Sequence, residues 1–361
     1  MGELRAVGVN VVHVVVPEGI DDATRPSGGN TYDRQLIDTL RTQGFAIVET
    51  AVAGSWPFPP ATALEALART LSAVADGSVV LLDGLVASAS SDVLVPHASR
   101  LRLVILMHMP LGSEPGALAS VKVAERVSLT AATAVITTST WTRRWLIDHY
   151  GMPPGSVHVA EPGVEPSEVA SVSAHGGRLI CVAAVVPHKG QDILVEALAR
   201  LTRREWDCRF VGSDTLDPGF VARLRRGIQE TDLADRIQFV GPLVGAALAS
   251  TYASADLLVA PSRTDTYGMV VSEALAHGTP VVATTVGGLP STLGIVEERG
   301  RPGILVPPDD PMLLAEALRT WLDDDSVRRR LRELALDRRR TLSPWTSTAR
   351  DVSHVLRGVA A

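Results

Sequence analysis

The sequence predicts an α/β protein made of two doubly wound domains, each with a parallel sheet covered by helices. Three observations support this fold class. Apolar, β-branched runs alternate with amphipathic stretches, which is typical of successive βαβ units. A segment rich in Gly, Pro, Ser and Glu, residues 162–177, interrupts this alternation, which then starts again. The length of 361 residues suits two domains of ordinary size.

Continuous apolar runs predict five strands in the first half. Runs of this kind are expected of parallel strands that are buried on both faces. The predicted strands cover residues 6–16, 46–50, 79–83, 103–107 and 134–138. Apolar residues at helical spacing predict the helices between them, and the first helix ends at Gly44. These helices cover residues 30–43, 61–75 and 142–149.

The second half repeats this layout after the linker. Its predicted strands cover residues 179–186, 208–211, 237–240, 256–260 and 280–283. Its predicted helices cover residues 192–201, 219–230 and 244–253, and a further helix precedes the last strand. A late helix, residues 345–359, follows a polar break. We therefore expect two domains of similar size that meet near residue 165.

Composition excludes several classes of function. The net charge of −6 provides no basic footprint for nucleic acid. The apolar runs are far shorter than a membrane span, and Glu3 and Arg5 at the start do not fit a signal peptide. The two cysteines, Cys181 and Cys208, lie in strand-like runs, and this sparing use predicts a cytoplasmic protein. No Cys/His spacing suggests a metal site.

The segment 261–283 carries the most specific functional signal. It predicts a strand end, a loop with Asp265, a helix with Glu273 about one turn inside, and another buried strand. Both carboxylates can face the crevice at the strand ends, where α/β sheets bind ligands. Carboxylates suit sugar hydroxyls, and the N–H groups of a helix start suit an anion. A loop acid and a helix-start Glu favoured by the helix dipole are the simpler alternative.

This arrangement resembles the signature of retaining GT-B glycosyltransferases, in particular family 4, in which seven residues separate two acids. Asp265 stands where the family has its first Glu, and Tyr267 replaces a Phe before Gly268 and Met269. The resemblance implies that Asp265 binds donor-sugar hydroxyls near the anomeric carbon and that Glu273 binds the nucleotide ribose. It places Tyr267, Gly268 and Met269 among the donor-binding residues. Because Asp is one methylene shorter than Glu, we expect the sugar to sit differently.

The resemblance covers essentially the whole chain and implies the GT-B fold, in which two Rossmann-like domains face each other across a crevice. Residues 1–165 would form the acceptor-side domain, and residues 166–343 the nucleotide-sugar donor-binding domain. The last segment, residues 344–361, would be a return helix that packs on the first domain. Residues 54–58 and 83–85 are candidates for the acceptor surface.

A phosphate site is expected after the first strand of the second half. Residues 187–190 resemble the family's Pro-x-Lys-Gly, and a Lys at a strand end can neutralise a diphosphate. Lys189 would then stabilise the leaving group. The family commonly has an Arg five residues earlier, where this chain has Ala184. Arg263 or His188 could compensate for this loss. An exposed turn lysine is the simpler interpretation of Lys189.

Three further segments resemble those of the family. Gly28 and Gly29 resemble its glycine loop, which approaches the donor phosphate and the acceptor, since glycine permits close backbone approach. His108 ends an apolar strand at the position that hydrogen-bonds the donor sugar near the reaction centre; a structural His bonded to backbone is the alternative. Val240 and Leu243 belong to the segment whose backbone reads the nucleotide base.

The implied enzyme is a hexosyltransferase-like glycosyltransferase that retains the anomeric configuration. Its partners would be a nucleoside diphosphate sugar and a small-molecule, glycan or lipid-linked acceptor, with no cofactor and no metal. A sugar-nucleotide epimerase of the same fold and a non-catalytic sugar-nucleotide-binding protein stay open as alternatives. A basic-aromatic cluster could touch a membrane surface, although a partly buried helix face explains it more simply. This cluster consists of Trp141, Arg143, Arg144 and Trp145.

Overall fold

The structure, a computed structural model, describes residues 11–360. Residues 6–10, which begin the first predicted strand, lie outside the described part. The chain separates into two compact units. Among the described residues, the first consists of 11–21, Gly29–Pro162 and 345–360, and the second consists of Asp22–Gly28 and Gly163–Pro344.

The first unit contains, within the described residues, a six-stranded sheet whose neighbouring strands are all parallel. In chain order these are β1 (Val11–Pro17), β2 (Ala46–Val52), β3 (Val79–Asp83), β4 (Arg102–Met107), β5 (Ala134–Thr137) and β6 (Val157–Val159). The order in the sheet is β2-β1-β3-β4-β5-β6. It reverses between β1 and β3, where doubly wound sheets open a crevice at their strand ends.

Six α-helices of this unit precede residue 151 in the described chain. They are α1 (Gly28–Thr42), α2 (Ala61–Ser72), α3 (Gly84–Ser88), α4 (Ser91–Leu94), α5 (Ala119–Ala131) and α6 (Thr140–Tyr150). The pattern predicted α1, α2 and α6 but not α5. In α5 the usual polarity is reversed, because Val123 and Val127 are exposed whereas Glu125 is fully buried. Such a helix has no apolar stripe that sequence periodicity can reveal.

The second unit also has a parallel six-stranded sheet in the described chain. Its strands are β7 (Arg178–Val182), β8 (Asp207–Val211), β9 (Ile237–Gly241), β10 (Leu257–Ala260), β11 (Val281–Thr284) and β12 (Gly303–Val306). Their order is β12-β11-β10-β7-β8-β9, which reverses between β7 and β10. The prediction that the first of these strands runs to residue 186 was wrong. The chain leaves β7 after Val182 to reach the short 3₁₀ turn Pro187–Lys189.

The helices of the second unit cover both the predicted segments and some that were not predicted. They are α7 (Gln191–Leu198), α8 (Pro218–Glu230), α9 (Gly245–Ala253), α10 (Met269–Ala276), α11 (Leu289–Leu293), α12 (Pro311–Asp323) and α13 (Asp325–Arg339). The last helix, α14 (Trp345–Ala360), belongs to the first unit. There the rings of Trp345 and Tyr32 are nearly perpendicular with their centroids 5.4 Å apart, and Thr348 Oγ1 donates to the Glu161 carbonyl at 2.7 Å. Over residues 11–360, no helix combines the length and apolarity needed to cross a membrane.

Candidate active site

The second unit brings Lys189 and Asp265 together. These residues lie on the loops that follow β7 and β10, the two neighbouring strands at which the strand order reverses. Lys189 Nζ lies 2.8 Å from Asp265 Oδ2. The exposed fractions of the two side chains are 25% and 12%, so the ion pair is partly open to solvent. Two residues that the sequence predicts to be catalytic are therefore in direct contact.

Glycines allow these loops to pack. Gly190 has a φ of +71°, and a Cβ there would lie 2.1 Å from the carbonyl oxygen of Pro261. Any side chain would push apart the loops that carry Lys189 and Asp265. Gly287 and Gly288 pack on the Asp265 loop from the other side, and the Gly288 N–H donates to the Asp265 carbonyl at 3.1 Å.

The start of α10 also depends on a glycine. Gly268 precedes the helix with a φ of +81°, and a Cβ there would lie 2.2 Å from Leu289 Cδ2. The backbone can therefore turn into the helix at Met269 directly after the Asp265 loop. The Tyr267 carbonyl accepts a hydrogen bond from Thr292 Oγ1 at 2.5 Å. Tyr267 and Met269 are both partly buried.

Glu273 has a partner that the sequence analysis missed. Tyr252 at the end of α9 is buried, and its hydroxyl donates to Glu273 Oε2 at 2.7 Å. Burial raises the pKa of Glu273, while this hydrogen bond opposes the shift. Burial and the adjacent carboxylate raise the pKa of Tyr252 well above its ordinary value. Glu273 is thus held by one oxygen in a partly buried position.

Arg263 is occupied by carboxylates. Its guanidinium donates two hydrogen bonds of 2.8 Å to Asp192 and one of 2.6 Å to Asp309, and it also bonds the Pro187 carbonyl. These contacts argue against the expectation that Arg263 supplies the phosphate cation missing at Ala184, because two anions already use its charge. They instead fasten the loop of Lys189 to the loop after β10.

His188 does not supply a charge at neutral pH either. Burial and the neighbouring Lys189 lower the pKa of His188 to about 4, although Asp265 acts in the opposite direction. The segment around Ala184 is held by a neutral contact, since Gln191 Nε2 donates to the Ala184 carbonyl at 2.9 Å. Lys189 is therefore the cation of this loop that the described structure leaves partly exposed.

Val240 and Leu243 lie two strands away from Lys189, at the same carboxyl-terminal end of the second sheet. β9 is separated from β7 by β8, and both residues are partly exposed at the carboxyl end of β9. Gly241 between them has a φ of +82°, and its carbonyl accepts a hydrogen bond from Gly212 N at 2.9 Å. The predicted base-reading segment is thus the last part of an edge strand and the loop that follows it.

In the first unit, two carboxylates lie close to the imidazole of His108. The Nε2 atom of His108 lies 2.7 Å from Asp33 Oδ1 and 3.4 Å from Asp83 Oδ2. His108 follows β4, Asp83 ends β3 and Asp33 is in the second turn of α1. Asp83 Oδ1 also accepts from the N–H groups of Leu85 and Val86, at 2.7 and 3.3 Å, and so caps α3.

These contacts perturb both titratable partners. Burial lowers the pKa of His108, but the two carboxylates outweigh burial and the net shift is upward. Burial and the charge of Asp33 raise the pKa of Asp83 to about 7, against the opposing effects of His108 and the capping N–H groups. Perturbed groups at strand ends are typical of functional sites.

The glycine pair lies at the start of α1. A Cβ on Gly29 would lie 3.3 Å from His108 Cδ2, so the absence of a side chain lets α1 approach the His108 ring. Gly28 is the first residue of α1, but it belongs to the second compact unit. The structure therefore brings Gly29 and His108 together within the first unit.

The same cluster offers metal ligands. Oxygen and nitrogen atoms of Asp33, Asp83 and His108 lie within 4.8 Å of one another, and this group could hold a metal ion. Adjacent ligands of an octahedral Mg²⁺ would lie about 3 Å apart. The 2.7 Å contact between His108 and Asp33 is that of a charge-assisted hydrogen bond.

The basic-aromatic cluster on α6 is largely committed to the fold. Arg143 donates to the carbonyls of Val157 and Pro154, at 2.8 and 2.9 Å. The Trp145 ring stacks on His149 with centroids 4.6 Å apart. Arg144 alone of the two arginines projects into solvent, with an exposed fraction of 85%. These contacts support the interpretation as a partly buried helix face.

Two family models match consecutive parts of the chain. Residues 3–168 match the model described as Glycosyltransferase Family 4, and residues 176–324 match the model described as Glycosyl transferases group 1. The chain belongs to glycosyltransferase family 4. The matched ranges contain each of the positions at which the sequence analysis placed a family residue.

Curated relatives carry names of the same family. The chain is 35% identical over 262 residues to the D-inositol 3-phosphate glycosyltransferase of Kineococcus radiotolerans, a match that covers 65% of this chain and 59% of the relative. It is 31% identical over 226 residues to the enzyme of that name from Corynebacterium glutamicum, with 58% and 53% covered. The chain thus spans somewhat more than half the length of the curated relatives it matches.

Solved structures show the same fold at low identity. Sucrose-phosphate synthase from Thermosynechococcus elongatus has a TM-score of 0.80 at 22% identity, over 97% of this chain and 99% of that one. Anabaena HepE in complex with UDP and glucose has a TM-score of 0.74 at 19% identity, with the same coverage. Together with the two parallel sheets, these similarities confirm the GT-B fold for this family member.

Proposed function

We propose that this protein transfers a glycosyl group from a nucleoside diphosphate sugar to an acceptor hydroxyl with retention of the anomeric configuration. The contact between Lys189 and Asp265 is the observation that carries this proposal, because it unites a phosphate cation and a sugar-binding acid at the strand-order reversal of one sheet.

Lys189 and Asp265 would exchange partners when the donor binds. A partly exposed ion pair has little net stability, so a diphosphate can draw the ammonium away at small cost. Asp265 is then released to accept hydrogen bonds from sugar hydroxyls. The ammonium would stabilise the charge that develops on the leaving diphosphate.

Glu273 would bind the ribose of the donor. Tyr252 already donates to Glu273 Oε2, so the carboxylate is fixed before the ligand arrives. Preorganised acceptors bind with a smaller loss of side-chain freedom. The α10 start formed by Tyr267, Gly268 and Met269 would face the donor with backbone N–H groups. The backbone at Val240 and Leu243 would read the nucleotide base.

His108 would bind the donor sugar near the reacting carbon, and Gly28 and Gly29 would allow the donor phosphate and the acceptor to approach the backbone. In the transfer, the bond between the anomeric carbon and the diphosphate oxygen breaks while a bond to the acceptor oxygen forms on the same face. The acceptor proton passes to the leaving phosphate. This chemistry requires positioning and charge stabilisation, and we propose that it proceeds without a metal or another cofactor.

UDP-sugars are the first donors to test, because the structural neighbour HepE was solved with UDP-glucose. D-inositol 3-phosphate is the first acceptor to test, because it appears in the names of the curated relatives. Glycan and lipid-linked acceptors belong to the same panel. We propose that the reaction takes place in the cytoplasm. The exposed side chain of Arg144 would provide at most a weak peripheral contact with a membrane surface.

The test is turnover of UDP-, GDP-, ADP- and dTDP-sugars with and without these acceptors, followed by NMR of the product. We expect one donor class to give a glycoside with the anomeric configuration of the donor, together with slow hydrolysis when no acceptor is present. Interconversion of the donor sugar without transfer would identify an epimerase. Tight binding without any turnover would identify a non-catalytic binding protein.

A further inference from the structure

Glu125 is a fully buried carboxylate in the middle of α5, with an exposed fraction of 0%. We propose that Glu125 is a positioning residue that holds the loop after β4, residues 108–113, in a fixed place. That loop begins with His108, which would bind the donor sugar near the reacting carbon. The effect on catalysis therefore rests on the proposed function, whereas the anchoring of the loop does not.

Four hydrogen bonds reach this carboxylate from three parts of the first unit. The backbone N–H groups of Leu111 and Gly112, in the loop after β4, donate at 2.7 and 2.9 Å. The Ser88 hydroxyl at the end of α3 donates at 2.9 Å, and the Tyr150 hydroxyl at the end of α6 donates at 2.6 Å. A carboxylate only accepts hydrogen bonds and has about four lone-pair sites, so it matches this set of donors.

Each oxygen of Glu125 contacts one helix end and one residue of the loop. Oε1 accepts from Ser88 and Leu111, and Oε2 accepts from Tyr150 and Gly112. Ser88 and Tyr150 are buried. Burial and the hydrogen bond to Glu125 raise the pKa of Tyr150, so its hydroxyl stays a donor at neutral pH. The carboxylate thus joins the loop to the ends of α3 and α6.

The energetic cost of the buried carboxylate explains why the loop stays in place. A carboxylate that leaves water without partners is strongly destabilising, whereas one that accepts several hydrogen bonds is tolerated. The donors to Glu125 are all neutral groups, and the loop provides half of them. Movement of the loop would leave both oxygens short of a hydrogen bond in a poorly solvated site.

The loop approaches the carboxylate with its backbone. A Cβ on Gly112 would collide with the Tyr150 hydroxyl, so a side chain at this position has no room. Within the loop, the Ser113 N–H donates to the Pro110 carbonyl at 3.0 Å, and Ser113 Oγ donates to the same carbonyl at 2.7 Å. These internal bonds make the loop compact. Displacement at Gly112 would therefore also move His108.

The direct test is the exchange of backbone amide hydrogens, measured by NMR relative to the amides of β4, which report global unfolding. In the unaltered protein, the Leu111 and Gly112 amides should be protected, because Glu125 accepts from both. Glu125→Gln keeps the size of the side chain but loses acceptor capacity, and it should speed exchange of these amides about tenfold or more.

Tyr150→Phe is the matched control for this experiment. It removes one donor to Glu125 but leaves both hydrogen bonds to the loop, so the relative exchange of the Leu111 and Gly112 amides should stay unchanged. Two results would overturn the anchoring. One is exchange of these amides at the rate of exposed loop amides in the unaltered protein, which needs no variant to fold. The other is unchanged relative exchange in folded Glu125→Gln.

A kinetic test separates positioning from simple stability. Glu125→Gln should lower kcat about tenfold, since a misplaced group near the reacting atoms can cost up to about a hundredfold, while the Kd of the nucleotide stays unchanged. Tyr150→Phe should lose stability but keep kcat. Full kcat in folded Glu125→Gln, or an equal loss of kcat in both variants, would refute the positioning role. If no donor and acceptor pair turns over, the proposed function fails but the exchange result stands.

Discussion

The two units hold their candidate reactive groups in opposite ways. In the second unit, one cation meets one anion, and Lys189 and Asp265 remain partly exposed. In the first unit, Asp33 and Asp83 enclose a single imidazole and are almost completely buried. A partly exposed pair of one cation and one anion can change partners at small cost. A buried cluster with two carboxylates and one imidazole keeps its geometry, because moving any member would leave a buried charge without a partner. We therefore expect the second unit to respond to the donor and the first unit to be preorganised.

Removal of the exposed cation should have the largest effect. Lys189→Ala should lower turnover by about 10²- to 10³-fold, because the developing diphosphate charge loses its stabilising group. The partly exposed ion pair itself contributes about 0–1 kcal/mol to stability, so the variant should still fold. The measurement is kcat and KM with the best donor. Lys122→Ala, at an exposed lysine of α5, is the matched control. Normal turnover in folded Lys189→Ala would remove the phosphate role.

The next test asks whether the second unit also contains a preorganised acid. Tyr252→Phe should weaken nucleotide binding and cost about 1–3 kcal/mol of stability, because Glu273 loses its hydrogen bond in a partly buried site. The pKa of Glu273 is already raised by burial, and loss of the hydroxyl raises it further. Losing the hydrogen bond destabilises the ionised form of Glu273. The free energy of unfolding should therefore fall only slightly near pH 4, where Glu273 is largely protonated, and by the full effect of about 1–3 kcal/mol at neutral pH.

Chemical denaturation at both pH values, together with nucleotide titration, measures these effects. Tyr150→Phe provides the control in the first unit, since its hydroxyl donates to the buried Glu125 at 2.6 Å. This control should lose stability but keep the nucleotide Kd. Equal nucleotide affinity in Tyr252→Phe and the unaltered protein would contradict the ribose role of Glu273.

The smallest effect is expected at Arg263. Because Asp192 and Asp309 already bind its guanidinium, Arg263→Ala should change the nucleotide Kd by less than about threefold, within the range of an exposed ion pair. Isothermal titration of the nucleotide measures this. A tenfold weaker Kd without loss of stability would instead restore Arg263 as the replacement for the cation missing at Ala184.

The sequence predicted the alternation of strands and helices well because buried parallel strands read as continuous apolar runs. It also placed Lys189 and Asp265 at the ends of two strands of the second half, since their neighbours in the chain resemble family motifs. Only the structure shows that these two strands, β7 and β10, are neighbours in the sheet. It did not reveal α5, because the buried side of that helix carries Glu125 and the exposed side carries valines.

The partners of the site residues were harder to predict. Asp33 is 75 positions from His108 in the chain, and Tyr252 is 21 positions from Glu273. An Asp inside a helix usually faces solvent, so only the fold reveals that Asp33 is 2% exposed and touches His108. The same holds for Arg263, whose charge is neutralised by Asp192 in the first turn of α7 and by Asp309 in the turn before α12.

The central claim is that the second unit contains a nucleoside diphosphate site built on Lys189, Asp265 and Glu273. Thermal unfolding with saturating UDP, GDP, ADP and dTDP tests it most directly. A ligand at about a hundred times its Kd adds about 2.7 kcal/mol, so we expect one nucleotide to raise the Tm by several degrees and Glu273→Ala to abolish the shift. No shift with any of the four nucleotides, or an equal shift in Glu273→Ala, would contradict the account.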